Sequence, residues 1–314
     1  MNPTVSVTIC CYNGEKYLDA TLQSVFAQTY TDLEIVVIND GSIDATEMIA
    51  NKYISNGYPI TYYYQPNAGL GIARNKSVEL AKGEFIAILD QDDLWYPSKL
   101  EKQMVLFKDN PERGVVYSDC NFIDESGLIK LKSCMNGKFY EGDVFSTLLR
   151  DMFTPAWPTV VMRKLLIENA GGFLSYSFAE DLDILLKIAY TSSFGVVKEV
   201  LASYRMHSNQ SSKSYYKYLP ELNAIFDYWS NRTDFKHPNQ VRYITKFRSK
   251  QYRLCAESAF DQLDDMQEAR WYLYESLKFS FSVKIFVLLW LSWLNPQTAR
   301  KLLKYIRLLL SSFK

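Results

Sequence analysis

The sequence predicts an α/β protein: a mostly parallel sheet with helices on both faces, followed by a C-terminal helical extension. Three observations carry this reading. Four short apolar runs alternate with three helix-period segments before residue 90. The runs give way to polar, turn-forming residues at their C-terminal ends. From Tyr215 onward only helical patterns remain.

Val5–Cys11 is apolar, closes at Asn13-Gly14, and reads as a buried strand and a turn. Leu18, Leu22, Val25 and Phe26 then share one face of a helix. Residues 33–38 are the second strand, ended by Asn39-Asp40-Gly41-Ser42. Residues 44–53 read as a helix with Asp44 as its N-cap. Residues 60–64 form a third strand, 69–81 a helix closed by Gly83, and 85–89 a fourth strand. After residue 110 the alternation stops. Residues 114–120 read as another strand, 121–160 as mixed, and 196–204 as a late strand. Between them, residues 180–190 place Leu182, Leu185, Leu186 and Ala189 on one helix face.

With 314 residues, the chain fits one α/β domain of about 200–250 residues plus an appendage. Hydrophobic residues at 48% and charged residues at 22% are ordinary for a soluble globular protein. The 23 tyrosines suit either carbohydrate contact or packing. Zero formal net charge argues against nucleic acid as a global partner. The five cysteines, Cys10, Cys11, Cys120, Cys134 and Cys255, follow no zinc spacing and suit a reduced, cytoplasmic setting. The N-terminus opens on a strand rather than on a leader pattern.

The strongest chemical signal is Asp90-Gln91-Asp92-Asp93, directly after an uncharged strand. Open sheets of this kind bind ligands beyond the C-terminal ends of their strands. Three carboxylates crowded there repel one another unless one takes up a proton or a cation intervenes. Hard oxygen donors suit Mg2+ or Mn2+.

These motifs resemble the family 2 glycosyltransferases, whose fold is called GT-A, a Rossmann-like mostly parallel sheet. The matching pieces run through Val5–Cys11 with Tyr12-Asn13, Gln28-Thr29-Tyr30, Asn39-Asp40-Gly41-Ser42, Asn67-Ala68-Gly69, Arg74-Asn75 and Asp90-Gln91-Asp92-Asp93-Leu94-Trp95. The likeness resumes at Glu180-Asp181 and at Arg205-Met206-His207. It implies a catalytic domain over residues 1–212, with a donor-binding half of about 1–120 and an acceptor half of about 121–212. Residues 213–314 follow as the helical extension.

The resemblance also implies roles. Cys11, Tyr12 and Asp40 would line a nucleoside pocket, with Asn13 and Gln91 beside them on the donor side. Arg74 would lie near the diphosphate or Asp40. Asp90 would hold the ribose or metal-bound waters. Asp92 would be the direct metal ligand, and His207 would sit near metal and diphosphate as a further ligand. Asp181 would be the general base, with Glu180 and Trp157 on the acceptor side; Trp157 suits acceptor stacking or loop packing. The chemistry agrees: a departing nucleoside diphosphate gains negative charge that a cation neutralises, and an acceptor hydroxyl needs a carboxylate to take its proton.

The chain departs from the family pattern where Cys10 and Cys11 replace the usual Pro and Thr, and where Asn39 stands for a common Asp. It lacks the Q-x-x-R-W sequence of processive synthases, which argues for single-sugar addition. The expected activity is therefore an inverting, metal-dependent transfer from a nucleotide-sugar to a glycan or lipid-linked acceptor. A sugar-phosphate nucleotidylyltransferase would need a Gly-rich phosphate loop after the first strand. A dinucleotide-dependent oxidoreductase would need G-x-G-x-x-G there. A non-catalytic nucleotide-sugar-binding protein would not need Asp92 and Asp181. His237, the other histidine, reads as a surface residue.

Residues 278–314 carry seven Lys or Arg and no Asp or Glu. Residues 279–294 are apolar but shorter than the roughly 20 needed to span a bilayer. Residues 298–313 read as a basic amphipathic helix that lies on an anionic bilayer. The alternative is a helical pair that packs on the protein or forms a homodimer. The membrane reading places the protein peripherally on the inner face of the cell membrane.

Overall fold

The computed structural model describes residues 4–151, 153–175, 179–207, 215–234, 239–259 and 266–311; His237 lies outside them. The chain divides into two compact units. The first comprises residues 1–148 and 153–210, the second 149–152 and 211–314.

The first unit is built on one sheet. Its strands are β1 (Val5–Cys11), β2 (Leu33–Asp40), β3 (Ile60–Gln65), β4 (Phe85–Ile88), β5 (Leu94–Trp95), β6 (Arg113–Ile123), β7 (Ile129–Leu131), β8 (Val161–Arg163) and β9 (Ser193–Arg205). The order across the sheet is β3-β2-β1-β4-β8-β6-β9-β5, with β7 beside β6. β1 pairs in parallel with β2 and β4, and β2 with β3. β8 enters antiparallel between β4 and β6, and β5 runs antiparallel to β9. The helices that alternate with these strands are α1 (Leu18–Phe26), α2 (Thr46–Ser55), α3 (Leu70–Leu80), α4 (Lys99–Asp109), α5 (Phe145–Asp151), α6 (Lys164–Asn169) and α7 (Glu180–Thr191).

The first strand shows why the layers form. Val5, Val7, Ile9 and Cys11 project to one face and join Leu18, Leu22 and Val25 of α1 in the main core. Cys10 projects the other way, against Val36, Ile38 and Ala73. Each such fully buried side chain contributes about 1.5–3 kcal/mol of apolar transfer. Helix α2 starts at Thr46, two residues after the expected cap. Asp44 nonetheless serves it, since its Oδ1 accepts the Thr46 N–H at 3.0 Å.

The second unit is helical: α8 (Tyr215–Ser230), α9 (Gln240–Ser258), α10 (Met266–Phe279), α11 (Val283–Leu291) and α12 (Pro296–Ser311). Tyr252, Cys255, Ala269, Leu273, Ile285, Leu288 and Leu291 share its core. No described helix is long and apolar enough to cross a membrane. α12 forms, and its Ala299 and Leu303 are buried in the unit's own core. Among the described residues, α11 carries several exposed apolar side chains.

Candidate active site

The C-terminal ends of β1, β2 and β4 meet in a lattice of short polar side chains. Asn39 Oδ1 accepts the Ser42 N–H at 2.8 Å, Ser42 Oγ accepts the Asn13 N–H at 2.9 Å, and Asn13 Oδ1 accepts the Ile43 N–H at 3.0 Å. Asn13 adopts φ 52°, a left-handed conformation that Asn tolerates. Gln91 binds the Tyr12 main chain in both directions, accepting its N–H at 3.0 Å and donating to its carbonyl at 3.1 Å. A Cβ on Gly14 would lie 2.3 Å from Gln91 Oε1, so the residue after Asn13 must be glycine for this clasp to close. The Tyr12 ring is 51% exposed at the rim. Asp40 accepts from Gln65 Nε2 at 2.7 Å, the Ala68 N–H at 2.9 Å and the Gly69 N–H at 3.0 Å. Its carboxylate thus pins the entry to α3.

Arg74, on α3, is buried. One nitrogen donates to Glu180 Oε1 at 2.5 Å and the other to Asp90 Oδ1 at 3.0 Å. Its guanidinium lies over the Trp157 ring at 4.7 Å. Burial opposes the Arg74 charge, but Asp90 and Glu180 outweigh it and raise its pKa. This one side chain joins the end of β4 to the start of α7.

Beyond Asp90, the acidic run fans out. Asp92 Oδ2 lies 2.7 Å from His207 Nε2. Burial, and then the neighbouring Asp90 charge, push the Asp92 pKa up while His207 opposes them. Asp93 is buried, and its Oδ1 accepts the Arg205 N–H at 2.8 Å. Its Oδ2 has no hydrogen-bond partner among the described residues, and burial with the Asp92 and Asp90 charges drives its pKa well up. Arg205 donates to the Asp92 carbonyl at 2.8 Å and lies over the Tyr17 ring at 4.7 Å, which in turn meets the His207 ring at 5.4 Å. The end of β9 therefore carries both the partner of Asp92 and the residue that orients its backbone.

At the other end of the Arg74 bridge, Glu180 and Asp181 open α7. Glu180 is buried, and its Oε2 has no hydrogen-bond partner among the described residues. Asp181 is partly buried, and its Oδ1 accepts the Leu182 N–H at 2.6 Å. Burial and the Glu180 charge raise its pKa to about 7. A carboxylate poised there takes a proton more readily than an ordinary surface aspartate.

The structure thus brings Asp90, Arg74 and Glu180 into one ion-paired chain and sets Asp92 against His207. Three readings need correction. Cys11 faces the core at 1% exposure, and burial drives its thiol pKa well up, so its side chain is not presented to a ligand. Trp157 is buried with a face covered by Arg74, and Glu180 is committed to that same cation; both support Arg74 rather than an open acceptor face. Tyr17 was not expected in the site, whereas Asp93 and Arg205 belong to the matched motifs but carried no role of their own. The Arg205-x-His207 spacing was the available signal, since a period of two puts both residues on one strand face. Among the described residues, the one group of three close metal-type donors is Asp119, Cys120 and Cys134. Asp119 is already occupied by donors, including the Cys120 and Met135 N–H groups and Ser133 Oγ at 2.5 Å. That group therefore reads as a turn with two free thiols.

The chain is similar to several known proteins. A family model described as glycosyl transferase family 2 matches residues 6–168. An uncharacterized glycosyltransferase of Rickettsia typhi is 33% identical over 231 residues, covering 72% of this chain and 71% of its own. The putative glycosyltransferase EpsH of Bacillus subtilis is 37% identical over 253 residues, covering 78% of this chain and 72% of its own. Among solved structures, S. aureus TarS 1–349 in complex with UDP-GlcNAc aligns with a TM-score of 0.66 at 19% identity, over 87% of this chain and 79% of that one. The mannosyltransferase PcManGT from Pyrobaculum calidifontis, in complex with GDP-Man and Mn2+, aligns with a TM-score of 0.58 at 18% identity, over 92% and 79%.

Proposed function

Because the chain belongs to glycosyl transferase family 2 and is a glycosyltransferase of GT-A fold, we propose that it performs inverting, metal-dependent transfer of one sugar from a nucleoside-diphosphate donor to an acceptor hydroxyl. The observation that carries this reading is the pairing of two acid groups across Arg74. Asp92 lies against His207 at one end, and Asp181 stands at the start of α7 at the other.

The donor set fits a divalent cation. A carboxylate oxygen and an imidazole nitrogen converge, and Asp92 takes up a proton too readily because burial and Asp90 disfavour its charge. Asp92 and His207 would hold Mn2+ or Mg2+, with Asp90 alongside. The cation would supply neutralisation of the charge that builds on the leaving diphosphate. The protein's own groups do the rest. Tyr12, Asn13 and Gln91 shape the donor rim, and Asp40 shapes it by holding the α3 entry. Arg74 keeps Asp90 and Glu180 in place. Asp181 takes the acceptor proton as the hydroxyl oxygen bonds to the anomeric carbon, and the sugar–phosphate bond breaks with its electron pair leaving on phosphate. One displacement with no protein nucleophile inverts the anomeric centre.

The acceptor in this reading is a lipid-linked or cell-surface glycan, and transfer is non-processive. The enzyme works peripherally at the cytoplasmic membrane surface through its C-terminal region. The test is a panel of UDP-, GDP- and dTDP-sugars assayed with and without EDTA, with the product anomer read by NMR. One donor should turn over, stop in EDTA and give the inverted linkage. Full turnover in EDTA contradicts the role of Asp92 and His207, and a retained anomer contradicts the single displacement.

A further inference from the structure

Helix α11 is apolar on every side: its nine residues are Val283–Leu291, with one lysine. Such a helix is expected to be enclosed. Here Ile285, Leu288 and Leu291 face the core of the helical unit, while Val283, Phe286, Trp290 and Trp293 follow at helical spacing on the opposite side. Their exposures are 73%, 59%, 59% and 67%. Phe281, just before the helix, is 71% exposed. Single exposed apolar residues are ordinary, but a contiguous aromatic ridge marks a surface that meets something. The ridge is held firmly. Ser282 caps α11 by accepting the Ile285 N–H at 3.2 Å. Arg270 donates to the Ser292 carbonyl at 2.6 Å and lies over the Trp293 ring at 4.6 Å.

The charges of the next helix bear on what the ridge meets. Lys301 and Lys304 on α12 are exposed, and no acidic residue occurs from 278 to the end of the chain. The acids of the preceding helices are engaged, Glu275 with Lys278 and Glu257 with Lys284. A second copy docked on this ridge would bring lysine toward lysine. An anionic headgroup layer offers the complementary charge, and Trp with Phe at its edge is the composition of an interfacial belt. At about 1.5 Å per residue, α11 is too short to span and must lie in the plane.

We infer that α11 is the lipid-inserting element of this protein, its outer aromatic face entering the interfacial region of an anionic bilayer while Lys301 and Lys304 meet the headgroups. This rests on the reading of the enzyme as peripheral, and it moves the insertion from α12 to α11.

The test is flotation of the full chain with phosphatidylcholine vesicles, pure or with about one third phosphatidylglycerol. The wild type should float with the anionic vesicles. Phe286→Ser/Trp290→Ser/Trp293→Ser should lose at least about tenfold in partitioning. These side chains are already exposed, so an unchanged melting curve confirms that the variant folds. Lys301→Glu/Lys304→Glu should lose the preference for anionic vesicles. If the serine variant floats like the wild type, the α11 assignment is overturned while the peripheral reading stands. If the wild type floats with neither vesicle, both fall. If gel filtration shows a dimer that the serine variant dissolves, with no flotation, the ridge belongs to a second copy and the lipid assignment is overturned.

Discussion

Asp40 and Asp92 stand beyond two strands of one sheet, on either side of β1, yet their surroundings are opposite. The Asp40 carboxylate accepts three protein donors, two of them main-chain N–H groups at the entry to α3. Asp92 meets a histidine; Asp93 Oδ2 in the same run and Glu180 Oε2 beyond Arg74 are buried with no hydrogen-bond partner among the described residues. Burial then raises the pKa of Asp92, Asp93, Glu180 and Asp181 alike. A carboxylate satisfied by its own chain is architecture. Carboxylates whose charge burial disfavours, such as Asp92 and Asp181, favour a nearby cation or a substrate proton.

The largest break in this comparison should come at Asp181. Asp181→Asn is expected to lower turnover by about 10²–10⁴ while donor affinity changes less than about threefold, measured by initial rates and calorimetric titration. The same variant should melt higher at pH 8. The folded-state pKa of Asp181 lies above its unfolded value, so the folded protein holds the proton that the unfolded chain releases. Stability therefore declines as pH rises from the ordinary carboxylate range to about 7, and asparagine removes that decline. A gain of a few degrees in Tm with loss of turnover separates a functional acid from a structural one.

Next in size, His207→Ala should cost about 10²-fold in turnover and raise the metal concentration needed for half activity. Titration of Mn2+ into the transfer assay reads both, and an unchanged metal requirement removes His207 from the ligand set. Asp40→Asn sharpens the comparison from the other side. It should destabilise the fold by about 1–2 kcal/mol, because the acceptor of the Ala68 and Gly69 N–H groups loses its charge. Turnover at saturating donor should fall less than about tenfold. An Asp40 variant that melts normally but is dead at saturating donor would erase the distinction. The smallest effect belongs to Trp157→Phe, which keeps a ring beneath Arg74 and should cost about 1 kcal/mol of stability or less, read from the melting curve.

Much of the fold was legible because the early strands are short apolar runs ended by turn residues, and each packs locally on the helix that follows. β5 was not, because a two-residue strand carries no periodicity. The antiparallel entry of β8 was not, because its neighbours β4 and β6 are far away in sequence. In the site, Asp92 and Asp181 stood out through their place at a strand end and a helix start. The Arg74–Glu180 pair spans 106 positions and leaves no local trace. Cys11 is instructive, since the alternation of Val5, Val7 and Ile9 already put it on the core face. α12 shows a related limit. An amphipathic pattern says that a helix has an apolar face, not whether that face meets a bilayer or its own bundle.

The central claim is that the acids whose charge burial disfavours, Asp92 and Asp181, carry the chemistry rather than the one held by main-chain donors. Its most direct test is the pH dependence of kcat/KM for transfer. The base must be ionised, and the Asp181 pKa stands at about 7. The account predicts a rate that climbs about tenfold per pH unit below neutrality and levels off above about pH 7. A profile that is flat from about pH 5 to pH 8 would contradict it, because an acceptor proton taken by an ordinary carboxylate, or by none, leaves no break near neutrality.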